Sequence, residues 1–207
     1  MQDIRESRGN LAIMEHTTFE RTVPEGYSLT YHIDAADKKT GGLLTLGSLV
    51  IAAAVLFVIF RNASLISLNI DKMISYDLAL LGSLLIYIVL HELTHGAVYK
   101  ALTHEKLKFG ITWSAAFCGV PEIFTYRSTA IRSLIAPFTL FSLILIPLTV
   151  WLHSIDTGWY LVSGILLALH LSGCIGDLYM LMLFLTKYKD PDTLMRDTGP
   201  EQWIYTK

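Results

Sequence analysis

Charge is what this sequence has least of. Asp, Glu, Lys and Arg make up 16% of its 207 residues, against about a quarter in ordinary soluble domains. That is too little to cover a water-facing surface. With 53% hydrophobic residues beside it, the composition excludes a disordered chain and argues against a soluble domain. Positive charge is not in excess either: sixteen Lys and Arg against eighteen Asp and Glu leave a formal net charge of −2, so no basic field invites nucleic acid. Cysteine is nearly absent. Cys118 and Cys174 are too few for a disulfide framework and lack the paired spacing of a thiolate zinc site. Internal repeats and low-complexity tracts are missing, and the length leaves room for one compact unit.

What is there is apolar and comes in four segments. Leu43–Phe60 runs without a charge between Lys39 and Arg61. Leu78–Tyr99 follows Asp77 and contains His91, Glu92 and His95. Ser133–Leu152 is charge-free, with Pro137 and Pro147 inside, and Trp159–Thr186 is interrupted only by His170 and Asp177. A helix of about 20 residues crosses a ~30 Å hydrocarbon core, so each segment is long enough. Four buried helices of that length in a soluble bundle would leave almost no polar face. The expected fold is therefore an all-α membrane protein of about four transmembrane helices, divided as residues 1–42, 43–186 and 187–207.

The basic residues fall on alternate connections. Residues 1–42 hold five, 100–132 hold five and 187–207 hold four, whereas the first short loop holds only Arg61 and Lys72 and the loop around His153 has none. That asymmetry predicts a multi-pass protein of the cell membrane with both termini and the 100–132 segment in the cytoplasm. Leu43–Phe60 reads as a retained signal anchor, since the polar stretch before it is too long for a cleavable signal peptide. Three connecting pieces alternate with strand period: 27–33, 107–114, and the pair Thr193–Arg196 and Gln202–Thr206 around the turn Asp197–Pro200. They are expected as short hairpin-like structure at the membrane interface.

The chemistry is concentrated in the second and fourth segments. His91-Glu92-Leu93-Thr94-His95 is an H-E-x-x-H pentad on a predicted helix, where residues i and i+4 share a face and two imidazoles can reach one metal with Glu92 beside it. This composition yields such a pentad by chance about once in a hundred sequences, and ionisable groups inside membrane segments are costly and usually functional. A catalytic zinc takes three protein ligands and keeps one position open. Asp177 is the only acidic residue in the third or fourth segment. On the predicted topology it lies ~15 Å from the cytoplasmic end of its helix, against ~13 Å for His91 and ~8 Å for His95. The three can share a level. Gly173 and Gly176 flank this position and are expected to let two helices approach closely.

His170 sits two turns before Asp177, too far for both to bind one metal without a kink. It is a rival ligand, a group that contacts Asp177 or the substrate path, or simply packed. Cys174 reads as a small apolar packing residue, and His16, His32, His104 and His153 lie outside the spans.

Together these residues resemble the intramembrane zinc proteases of the site-2 type. They resemble more closely the small multi-pass bacterial proteins described as "putative zincin peptidases". The likeness is carried by Pro24-Glu25-Gly26-Tyr27, the pentad with Gly96, Ala136-Pro137-Phe138, Ser172 to Leu178, and Arg196-Asp197-Thr198-Gly199. It departs from the site-2 pattern where Leu178, not glycine, follows the aspartate. The resemblance implies Zn²⁺ held by His91, His95 and Asp177, Glu92 as the catalytic base, and a membrane protein or peptide as substrate. Residues 107–114 would offer that substrate an edge strand. The alternatives are a non-catalytic metal-binding membrane scaffold, a partner subunit, or a metal transporter. The last would need ionisable groups along a whole path, and the outer half of the spans has only Asp77.

Overall fold

A computed structural model describes residues 18–34, 37–112 and 116–207. Helix α1, Lys38–Asn62, starts where the Asp37 carboxylate accepts from the amides of Lys39 and Thr40, a side-chain cap for otherwise orphaned donors. Two short 3₁₀ turns lead into α2, Met73–Thr103, which ends at His104 in a left-handed conformation (φ 58°). Helix α3, Arg127–His153, carries Pro137 and Pro147. Helix α4, Thr157–Gly173, is capped by Asp156, which also accepts from the Tyr76 hydroxyl at 2.8 Å and so ties α4 to the start of α2. Helix α5 is Ile175–Thr186.

Three of these helices are long and apolar enough to cross a membrane, and α4 with α5 makes a fourth crossing if the pair counts as one. The expected single helix over 159–186 is instead broken at Cys174, with a 42° bend. Their outward faces are apolar: Leu43, Leu49, Phe57, Leu78, Leu85, Leu143 and Val150 are all more than half exposed. Patches on that scale are rare on soluble monomers.

The chain is mostly helical, yet not all-α. Strands β1 (Phe19–Glu20), β2 (Ser28–Asp34), β5 (Phe124–Tyr126), β6 (Leu194–Asp197) and β7 (Glu201–Thr206) form an antiparallel sheet in the order β1-β5-β6-β7-β2. Strands β3 (Lys108–Ile111) and β4 (Ala116–Gly119) make a separate hairpin. The expected strands at 27–33, 193–196 and 202–206 are present within a residue or two. The one at 107–114 is shorter, and Trp113 lies outside the described residues. The sheet is no mere surface trim. Ile33, Met195 and Ile204 pack with Tyr99, Ala130, Leu134, Met180 and Phe184 in the main core, so one face of the sheet closes over one end of the helices. Residues from 18–34, 100–132 and 187–207 thus meet at that end.

Close approach by small residues occurs, but not where expected. Nothing lies within 4 Å of a Cβ built on Gly173 or Gly176; both border a cavity instead. The tight helix-to-helix points are on α4, where Gly158 lies against the Tyr76 ring of α2 and Gly164 lies under Ile59 of α1. A further tight point joins the hairpin to the sheet. A Cβ on Gly119 would sit 2.7 Å from the Gly199 nitrogen and 2.9 Å from the Asp197 carbonyl oxygen, beside the 2.9 Å bond from the Val120 amide to that same oxygen. These are backbone atoms, which cannot swing aside. Gly119→Ala should therefore destabilise the protein by roughly 1–3 kcal/mol, readable as a lowered denaturation midpoint in detergent; an unchanged midpoint would mean that the turn yields freely.

Candidate metal centre

The pentad lies on α2 three turns before its end, and Asp177 lies in the first turn of α5, just past the break. His91 Nε2 and His95 Nε2 both stand 3.4 Å from Asp177 Oδ2. Their side chains are 11%, 9% and 18% exposed respectively.

The donor set fits zinc. For metal–ligand bonds near 2.1 Å, two ligands of a tetrahedral ion are about 3.4 Å apart, the separation present here twice. The three donor atoms all lie within 4.8 Å of one another. Both remote ring nitrogens are engaged. His95 Nδ1 donates to the Ser133 carbonyl at 2.9 Å; a carbonyl only accepts, so this bond leaves the Nε2 lone pair directed at Asp177. His91 Nδ1 is 3.0 Å from the Tyr87 hydroxyl.

These residues open onto a cavity of about 210 Å³, lined by Glu92, Gly173, Gly176, Cys118, Asp197 and Gly199 among others. Glu92 is half-buried there, and the backbone amide of Cys118 faces its carboxylate. Gly96, next after the pentad, makes room for the hairpin: a Cβ there would meet Phe109 at 2.9 Å and Leu107 at 3.1 Å. It is therefore β4, through Ala116, Phe117 and Cys118, that borders the cavity, while β3 pairs on its far side. Residues 107–112, the described part of the expected edge, are not among those lining the cavity.

Asp197, in the turn Asp197–Pro200, carries no sequence pattern that marks it as a site residue, yet it lines the cavity. Its carboxylate accepts from Tyr99 Oη at 2.7 Å and from the Gly199 amide at 2.8 Å, a turn that glycine permits at φ 95°. Burial pushes the Asp197 carboxyl up to about 6 against those two hydrogen bonds, and Asp177 adds to the rise. Burial also pushes the Cys118 thiol up to about 12, with the Asp197 and Glu92 carboxylates adding to it, so it faces the cavity as a neutral thiol.

The sign for Asp197 is that of a raised carboxyl. The folded state prefers its protonated form, so its contribution to stability is complete below the unfolded value of 3.8 and is lost as pH rises through about 6. The stability of the metal-free native protein relative to Asp197→Asn should fall between pH 4 and 7, by on the order of 3 kcal/mol at most. Denaturant titrations of both proteins across that range check it, and parallel curves would sink it.

His170, fully buried, contacts Tyr87 Oη and Ser142 Oγ, each at 3.0 Å. His32, His104 and His153 are far from the pentad in the fold: His32 stacks on Trp203, and His153 meets the Asn62 carbonyl. His16 lies outside the described residues.

A family model described as "putative zincin peptidase" matches residues 84–191, more than half of the chain. The matched stretch takes in the pentad, α3, Asp177 and the whole of α4 and α5, and stops before β6. No curated protein and no solved structure matches the chain.

Proposed function

Because the chain belongs to the family described as "putative zincin peptidase", we propose that it is a zinc-dependent peptidase seated in a membrane, acting on membrane-associated protein substrates. His91, His95 and Asp177 hold the metal in this reading, and Glu92 is the general base. The observation that carries it is the pair of 3.4 Å separations from two imidazoles to one carboxylate oxygen, at the wall of a cavity that Glu92 also lines. Bound zinc supplies Lewis acidity, lowering the pKa of a water toward ~7 and polarising a carbonyl.

The remaining work falls to the chain. Glu92 projects from the same helix one residue after His91, and takes the proton of the attacking water and delivers it to the leaving amine. An extended substrate lies along the cavity-facing edge of 116–119, adding main-chain hydrogen bonds to a hairpin that is two-stranded among the described residues. Unwinding the substrate is required because the amides of a membrane helix are satisfied within it.

Membrane residence is supported by the exposed apolar faces of the long helices. Orientation rests on the 14-to-2 division of basic residues: the end of the bundle that carries the sheet is cytoplasmic. Reporter fusions at Lys207 and His153 should give opposite signals, the first cytoplasmic.

Zinc content after purification in detergent is the primary test. One zinc per native chain and none in His95→Ala, together with membrane-protein fragments seen only in cells carrying the native form, is the expected result. Equal zinc in both proteins would remove the site.

A further inference from the structure

A second cluster of donors shares His91 with the metal centre, and its other members are used by no step above. His91, His170 and Cys174 place ligand-type atoms within 4.8 Å of one another. The Tyr87 hydroxyl already links this cluster, 3.0 Å from His91 Nδ1 and 3.0 Å from His170 Nδ1. His170 Nε2 is 3.0 Å from Ser142 Oγ, and Cys174 Sγ is 3.7 Å from His170 Nδ1. The surroundings are apolar: the His170 ring neighbours those of Phe138 and Phe141, and Phe141 also meets Tyr87 edge-on. Buried polar groups persist in such a place only with their hydrogen bonds made.

We propose that Tyr87 and His170 are positioning residues that form, with Ser142, a one-way hydrogen-bond chain fixing the tautomer and ring orientation of His91 for metal binding. This rests on the assignment of His91 Nε2 as a ligand.

The direction of the chain follows from counting protons. A ligating Nε2 has no proton, so neutral His91 carries its proton on Nδ1 and donates it to Tyr87 Oη. The phenol has a single proton, and of the two groups left around its oxygen, His170 Nδ1 at 3.0 Å and the Cys174 thiol, the imidazole nitrogen is the stronger acceptor and takes it. With Nδ1 as acceptor, neutral His170 is protonated on Nε2 and donates to Ser142 Oγ. Each of the three links then has one donor and one acceptor. Four residues on three helices thus hold one lone pair in place: Tyr87 and His91 on α2, Ser142 on α3 and His170 on α4. His170 is also in the last turn before the break that precedes Asp177, so the same chain anchors α4 to α2 at the point where the aspartate is delivered.

Outer partners of metal-bound histidines typically contribute 10–100-fold to metal affinity. Zinc affinity, measured by competition with a chromophoric chelator on the full-length protein in detergent, is therefore the readout. Tyr87→Phe keeps the ring and its packing but removes the link, and should weaken zinc binding 10–100-fold. Because it leaves two buried ring nitrogens without this partner, it should also lower the denaturation midpoint of the metal-free protein. His170→Leu removes the acceptor and should weaken binding in the same direction. His170→Asn restores an acceptor near the Nδ1 position and should bind within about threefold of native. Native-like affinity in Tyr87→Phe, or equal loss in His170→Leu and His170→Asn, would overturn the proposal while leaving the metal site itself intact. Two zinc ions per native chain, one of them lost in Cys174→Ala, would also overturn it by making these atoms ligands. A native protein that binds no zinc would instead defeat the site assignment on which the chain depends.

Discussion

Glu92→Gln should keep one zinc per chain and lose peptidase activity by roughly 10²–10⁴-fold, the usual contribution of a positioned proton-transfer group. Glutamine matches glutamate in size and preserves most of its hydrogen-bonding shape. It cannot take a proton from water at neutral pH. Glu92 is not among the three donors that converge at the candidate metal site, so metal content should be indifferent to the change. This separates an enzyme from a metal-holding scaffold, in which the glutamine form would behave as native. The comparison is made on membrane-protein fragments from cells carrying each form, beside the zinc content of each purified protein. Indistinguishable fragment profiles would favour the scaffold.

Asp177→Ala should lose both zinc and activity. Its carboxylate oxygen is the atom both imidazoles face, so removing it takes away a ligand and the one negative charge set between them. The effect has a thermodynamic counterpart. A ligand present at 100 times its Kd and bound only by the folded state stabilises by about 2.7 kcal/mol. Zinc at that level should raise the unfolding midpoint of the native protein and leave Asp177→Ala unmoved. An equal rise in both would mean that the metal binds elsewhere.

The convergence of His91, His95 and Asp177 is legible in the sequence because these residues obey rules that need no tertiary information. Four-residue spacing puts His91 and His95 on one face of a helix, and a lone acid in an apolar segment at matching depth singles out Asp177. The break at Cys174 was not legible. No proline marks it, and Gly173 and Gly176 read equally well as a packing stripe. Strands β1 and β5 are two and three residues long, too short to show any period, so a five-stranded sheet read as isolated hairpins. Tyr87 lies one turn before His91, where spacing alone suggests contact. Its link to His170 depends on how α4 is rotated against α2, which no local pattern encodes. Asp197 lay in a recognisable turn, but its place at the cavity wall follows from Gly119 and Gly199 bringing two backbones together.

The sheet order has a consequence for biogenesis. Strand β7 follows every helix in the chain, yet it is an interior strand, paired with β6 on one side and with β2 on the other. During synthesis all the apolar helices emerge before the strand that joins the two halves of the sheet. Until then β2 lacks its one partner strand among the described residues, and the cavity wall to which Asp197, Gly199 and Gln202 belong is incomplete. In the membrane reading proposed above, all the apolar helices are thus available for insertion before the cavity beside the pentad has the part of its wall that Gln202 supplies.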